Sequence, residues 1–289
     1  MSGIRHEYAN LGPVDLHYVQ SGPSPDRAPS VVLLHGWPQT WYCWRHLIPV
    51  LATRFHVIAP DLRGLGDSSR PLDGYDKASI GADIHALLSS HLGLDRYHVV
   101  GHDWGGPVAF RVAVADPAKV LTLTVMDVTL PGIGPDISQG GQRWHHAFHR
   151  TPDLPERLIQ GRERDYLEWF YHDFSYNRGG IDDAAIDEYV RCYSKPGALR
   201  AGFAYYRAIP QDVADNQRLI RDEFRLRMPV LAMGGAVRER RGRGDEPAQS
   251  LAEIADEVTG KVVERCGHFM AEDRPDAVQA ALLEHFERA

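Results

Sequence analysis

The six residues Gly101-His102-Asp103-Trp104-Gly105-Gly106 follow directly on Tyr97 to Val100, which reads as a strand. Small residues at 101 and 105, flanking one reactive side chain, are the pattern of a tight strand-to-helix elbow. Strand and helix can approach closely only if neither flanking position carries a side chain, and the residue at the apex is then strained and exposed at the mouth of a sheet. Such an elbow calls for a central parallel strand covered by helices. The run Val31-Val32-Leu33-Leu34 is apolar on both faces, as a covered parallel strand is. Asp15 to Gln20, Phe55 to Ala59, Leu121 to Met126, Pro229 to Met233 and Lys261 to Glu264 also read as strands. Between them Ile80, Ile84, Leu87 and Leu88, and later Val278, Leu282 and Phe286, recur at helical spacing. The expected fold is α/β, a doubly wound and mostly parallel sheet. From Pro131 to about Asp222 the strand signal lapses and aromatic-rich helical stretches replace it, among them Arg164 to Tyr171 and Ile186 to Tyr193. We therefore expect core residues 1–130, an inserted helical lid at 131–222 and returning core at 223–289, without internal repeats.

The apex residue selects the chemistry. A serine there would attack acyl carbons. A carboxylate attacks a saturated carbon carrying a leaving group, becoming an alkyl ester that water must then cleave; epoxides and alkyl halides are the matching electrophiles. The second step needs a base. Of fifteen histidines, His268 stands out because Gly267-His268-Phe269 comes just after the last expected strand, in the chain order nucleophile, acid, histidine. A carboxylate must in turn hold the imidazole tautomer. Asp127 follows the strand Leu121 to Met126, and Asp245 lies in the loop after Pro229 to Met233; Asp127 is favoured because an orienting acid belongs on a rigid strand end. His35-Gly36-Trp37-Pro38 follows the first fully apolar strand. A Gly-x-Pro turn, with a cis Trp37-Pro38 bond, would aim the Trp37 amide N–H into the pocket, where the Trp104 N–H would complete an oxyanion hole.

These motifs resemble those of the α/β-hydrolase-fold epoxide hydrolases. The matching segments are His35-Gly36-Trp37-Pro38 with Trp41-Tyr42-Cys43-Trp44-Arg45, Asp61-Leu62-Arg63-Gly64-Leu65-Gly66-Asp67-Ser68, the Asp103 elbow and Gly267-His268. The lid is most similar to the Cif-like bacterial subgroup, which opens the ring with a histidine and a tyrosine rather than two tyrosines. The resemblance implies that Trp144-His145 and Tyr205-Tyr206-Arg207 supply this pair as His145 and Tyr206, with Tyr205 the alternative to Tyr206. It also implies that the acid follows the earlier strand, within Val125-Met126-Asp127-Val128, where the subgroup has glutamate. His35, Pro38, Trp144 and Phe148 are expected to line the substrate pocket. The lid aromatics, including Trp169, Phe170 and Phe203, suggest a small apolar or aromatic epoxide, opened without a cofactor.

Two other readings compete. Haloalkane dehalogenases share the aspartate elbow, and a non-catalytic ligand-binding protein can use the same fold. Haloacetate dehalogenases hold the substrate carboxylate with arginines around the elbow, where this chain has Trp104 and Pro107, so an anionic substrate is not expected. His145 and His149 stand at a spacing that can bind metal, but there is neither the glutamate of a His-Glu-x-x-His motif nor a clear third ligand, and no metal is expected. A formal charge of -7 disfavours nucleic acid, and the basic stretch Arg238 to Arg243 reads as a solvated loop. No apolar run approaches the ~20 residues of a membrane span. With no apolar leader at the start, the expected location is cytoplasmic. Cys43, Cys192 and Cys266 have no metal or redox spacing and read as buried free thiols. Oligomeric state is left open, with a homodimer among the options.

Overall fold

The computed structural model describes residues 3–135 and 143–289. Eight strands form one sheet: β1 (Arg5–Asn10), β2 (Asp15–Ser21), β3 (Ser30–Leu34), β4 (His56–Pro60), β5 (Tyr97–His102), β6 (Val120–Met126), β7 (Val230–Gly235) and β8 (Val258–Val263). Their spatial order is β1-β2-β4-β3-β5-β6-β7-β8. β1 and β2 pair antiparallel, as do β2 and β4, and every later pairing is parallel. Every residue of β3, β4 and β5 is buried, which is why apolar residues fall on both faces of these strands. The edges differ. β1 exposes most of its residues and lacks a two-sided apolar run, so the sequence pattern does not mark it as a strand. β8 starts at Val258 rather than Lys261 because an edge strand with one buried residue carries almost no hydrophobic pattern.

The helix Gly105–Ala115 leaves the elbow and packs behind β5 and β6. At the elbow the glycines are sterically required: a Cβ on Gly101 would lie 2.1 Å from the Gly105 carbonyl oxygen, and one on Gly105 2.1 Å from that of Leu34. Between β6 and β7 the described chain is helical, including Trp144–Arg150, Glu163–Phe174, Asp183–Tyr193, Ala198–Arg207 and Ile209–Arg221. Tyrosines fasten these helices to the loop after β3. The Tyr171 hydroxyl donates to the Pro38 carbonyl at 2.5 Å and the Tyr193 hydroxyl to that of Gln39 at 3.2 Å. Tyr189 and Arg45 converge from the two sides on the buried carboxylate of Glu272 at 2.7 Å each. No helix among the described residues is long and apolar enough to cross a membrane. All three cysteines are free and buried.

Candidate active site

Asp103 and Asp127 stand one residue past the C-terminal ends of the neighbouring strands β5 and β6, both with positive φ (50° and 52°). That conformation is costly for a residue with a Cβ and turns each carboxylate out of its strand toward the same end of the sheet. His268, in the loop after β8, lies between them. Its Nδ1 is 2.7 Å from Asp127 Oδ2 and its Nε2 is 3.3 Å from Asp103 Oδ2. Asp127 Oδ1 accepts the amide N–H groups of Gly235 and Arg243 at 2.9 and 2.8 Å, so this carboxylate is fully engaged and its orientation fixed. The Nδ1–H of His268 donates to it, leaving Nε2 as the acceptor. Asp245, by contrast, is exposed and bonded to Arg238 and Gln249, remote in role from His268.

The other Asp103 oxygen, Oδ1, accepts the Trp37 amide N–H at 3.0 Å, and the Trp37-Pro38 peptide is cis. Trp104 begins the elbow helix directly after Asp103. Burial raises the Asp103 pKa, but the hydrogen bond and charge of His268, and then the charge of Arg241, outweigh it and hold the carboxyl well below the ordinary range. Asp103 is therefore an anion, the form a nucleophile needs.

Two small hollows meet at Asp103 and Arg241. One is lined by Trp37, Pro38, His145, Phe170, Phe174 and Tyr206 with His268 and Phe269. The other is lined by Trp104, Val128, Thr129, Pro131, His146, Ile209 and Arg243. They enclose about 10 and 20 Å³ of free volume, respectively. Tyr206 and His145 thus share a wall with Asp103. Burial, followed by the Asp103 charge, pushes the Tyr206 phenol well above its ordinary pKa, and burial with Arg241 pushes His145 far down, so both are neutral N–H or O–H donors. Tyr205 points elsewhere, its hydroxyl donating to the Arg63 carbonyl at 2.8 Å.

Several expected pocket residues lie outside these hollows. His35 is wholly buried beneath the site, with Nε2 accepting the Leu62 amide N–H at 3.1 Å and Nδ1 3.0 Å from the Gly36 carbonyl oxygen. Trp144 is 50% exposed and lines an outer hollow with Leu158, Ile159 and Trp169. Phe148 packs against Trp144 and Tyr166 rather than on the cavity. The reason is helical phase: on Trp144–Arg150 the buried residues are His145, His146 and His149, and positions 144 and 148 share another face. His149 is engaged by the Tyr166 hydroxyl at 2.5 Å.

The basic stretch is the main correction. Arg241 is 8% and Arg243 2% exposed, and both line the hollow beside Asp103. The loop folds back on β7 through the amide of Gly242 to Val237 O at 3.0 Å and that of Gly244 to Gly235 O at 2.9 Å. A Cβ on Gly242 would meet the Gly235 carbonyl oxygen at 2.4 Å. The signal that could have revealed this is the cluster Gly234, Gly235, Gly242 and Gly244, which marks closely packed backbone rather than a free loop.

Comparison with known proteins places the chain in a family. Residues 29–275 match the alpha/beta hydrolase fold family. The chain is 38% identical to a soluble epoxide hydrolase of Corynebacterium sp. (strain C12) over 98% of this chain and 97% of that protein. Among solved structures it is similar to the epoxide hydrolase CorEH, with a TM-score of 0.89, 38% identity, and coverage of 98% of this chain and 99% of that one. It is also similar to Cfl2 of Burkholderia cenocepacia, with a TM-score of 0.88, 38% identity, and coverage of 98% and 96%. The chain belongs to the α/β-hydrolase-fold epoxide hydrolases.

Proposed function

We propose that this enzyme opens a small epoxide to a vicinal diol through an alkyl ester of Asp103. The observation that carries the reading is a carboxylate at the elbow facing an oriented imidazole on one side and two neutral donors, His145 and Tyr206, on the other. Oδ1 is held by the Trp37 N–H, which leaves Oδ2 to attack an epoxide carbon. As that C–O bond forms, the ring C–O bond breaks and its electron pair passes to the ring oxygen, which takes a proton from Tyr206 while His145 donates a hydrogen bond.

In the second half, water gives a proton to His268 Nε2 and adds to the ester carbonyl carbon. The Trp37 and Trp104 amides stabilise the oxyanion on Oδ1, and Asp127 stabilises the imidazolium. The intermediate collapses with cleavage of the C–O bond to the substrate. The departing alkoxide takes the proton from His268, and the remaining carboxylic acid proton returns to the Tyr206 oxygen. The helices of residues 131–222 act as a cap that carries the ring-opening pair over the core of 1–130 and 223–289.

Intact-protein mass spectrometry on His268→Gln, which should stall at the ester, tests this. Incubation with an epoxide panel is expected to add the whole epoxide mass, lost when Asp103→Ala is combined. An adduct from alkyl halides equal to the halide minus hydrogen halide, with epoxides inert, would make the enzyme a dehalogenase.

A further inference from the structure

Arg241 is a buried guanidinium beside Asp103 and His268. Its Nη1 sits against His268, 2.9 Å from Nε2 and 2.5 Å from Nδ1, its Nη2 is 3.6 Å from Asp103 Oδ2, and its Nε has no hydrogen-bond partner. The other acids nearby are engaged. Glu246 takes Arg238 and Arg243 at 2.6 and 3.1 Å, and Asp127 takes His268 and two backbone amides. Among the described residues Asp103 is the one carboxylate within ion-pair distance of this guanidinium, and Asp127 acts on it through charge at longer range. Beside it in the same hollow is His146, 4% exposed, with neither ring nitrogen bonded. The backbone holds Arg241 there at φ 64°, a conformation that side-chain-bearing residues avoid unless the surrounding structure imposes it.

The reaction sequence turns this arrangement into a problem. When Asp103 becomes an ester its charge is gone and Arg241 loses its ion-pair partner, which leaves Asp127 to balance both the buried guanidinium and the His268 imidazolium, an unfavourable excess of buried positive charge. The same guanidinium occupies Nε2, the atom that must accept a proton from water, and would repel the imidazolium formed there. The free space of about 20 Å³ beside Trp104 and His146 also leaves little room for a substrate while Arg241 keeps this position. A neutral epoxide offers no compensation for these costs. A substrate anion offers all of it: a counter-charge that persists through the ester stage, a partner that draws Arg241 from His268, and an acceptor for the His146 N–H.

We propose that the preferred substrate is an epoxide bearing a carboxylate, with the ring at the His145 and Tyr206 wall and the carboxylate received by Arg241 and His146. This rests on the epoxide-opening reading of Asp103. It reverses the expectation drawn from Trp104 and Pro107, because the arginine comes from the loop after β7 rather than from the elbow.

The test compares trans-3-phenylglycidate with trans-β-methylstyrene oxide, which replaces the carboxylate with a methyl group. The wild-type kcat/KM should favour the acid by about 100-fold, as expected of a site with buried polar groups left unpaired by the analogue. Arg241→Gln should lower that ratio by at least about 30-fold, and Arg241→Lys should retain part of it, since it keeps the charge but not the planar fork. Faster turnover of the neutral epoxide by wild type, or a ratio unmoved in Arg241→Gln, overturns the carboxylate assignment and leaves epoxide hydrolysis standing. Turnover of neither compound, with no adduct on His268→Gln, overturns the epoxide reading on which the proposal rests. Competitive inhibition of the wild type by 3-phenylpropionate, but not by propylbenzene, needs no folded variant and is expected; equal inhibition by both overturns the anion site.

Discussion

Lys77 offers the sharpest stability prediction, because a buried lysine ties the cap to the elbow. Lys77 is 1% and Asp212 2% exposed, and Nζ lies 2.9 Å from Asp212 Oδ2. The same ammonium donates to the Tyr205 carbonyl at 2.6 Å and stands 4.3 Å from the centroid of the Trp104 ring. It therefore joins the helix bearing Tyr206 to the residue after Asp103. Lys77→Met keeps most of the length of the side chain and removes the charge. Stranding one partner of a buried ion pair costs about 3–5 kcal/mol, and the lost cation–π contact is partly offset by methionine packing on the indole. Burial already raises the Asp212 carboxyl pKa despite the opposing Lys77 charge, so the variant can relieve itself by protonation. The expected loss at neutral pH is about 3 kcal/mol, or a fall of about 6–12 °C in Tm. The sign with pH follows. Without Lys77 the folded pKa of Asp212 lies further above its unfolded value. The protonated form is favoured in the fold, so the deficit is smallest below the ordinary carboxylate range and grows as pH rises through the folded pKa. Urea unfolding at pH 5 and pH 7.5 measures both. Asp212→Asn added to Lys77→Met removes the stranded charge while its amide oxygen still accepts the Lys77 N–H, and should recover about 2 kcal/mol, leaving mainly the unpaired Tyr205 carbonyl. A single variant within 1 kcal/mol of wild type, or a double variant no better than the single, would refute the reasoning.

The two adjacent tyrosines should separate by assay. Tyr206→Phe is expected to slow ester formation by about 10²–10⁴-fold in single-turnover kinetics with little change in melting. Tyr205→Phe deprives the Arg63 carbonyl of its donor and should cost about 1–3 kcal/mol of stability, with ester formation slowed far less. Equal kinetic losses would reject the assignment of the ring-opening role to one of them. On the acid side, His98 and His102 are pushed down to about 4, chiefly by burial. The unfolded chain then binds more protons than the folded one between the ordinary histidine value of about 6.5 and 4, so stability falls as pH drops through that window, by about 3 kcal/mol for each group. Calorimetric Tm values between pH 7 and pH 4 check this, and His98→Gln should flatten the slope; an unchanged slope would show that His98 does not titrate as argued.

What could be read in the chain and what could not divide along a physical line. The elbow was legible because its glycines answer a local demand, the approach of one strand to the helix that follows it. Asp127 was legible because strand ends of a parallel sheet share one edge, so an acid one residue past β6 must stand beside an apex residue one past β5. The direction of Trp144 and Phe148 was not, since composition says that a lid is aromatic but only the phase of the helix says which ring faces in; once His145, His146 and His149 are turned to the core, positions 144 and 148 cannot be. Arg241 was the least legible: the glycines at 234, 235, 242 and 244 mark closely packed backbone, but which side chain of the loop is buried is not fixed by them. It is set by contacts between backbone segments distant in sequence: Val237 N–H bonds to Cys266 O at 3.0 Å, and His268 N–H bonds to both Phe174 O and Arg240 O at 2.8 and 3.1 Å. A charge run read one residue at a time belongs in water, and a loop sewn to the base of the site through three elements carries its charge inward with it. The consequence is specific: looking for cationic residues only where the chain passes Asp103 yields Trp104 and Pro107, whereas the guanidinium that faces Asp103 arrives through space, on the same loop backbone that holds His268 in place.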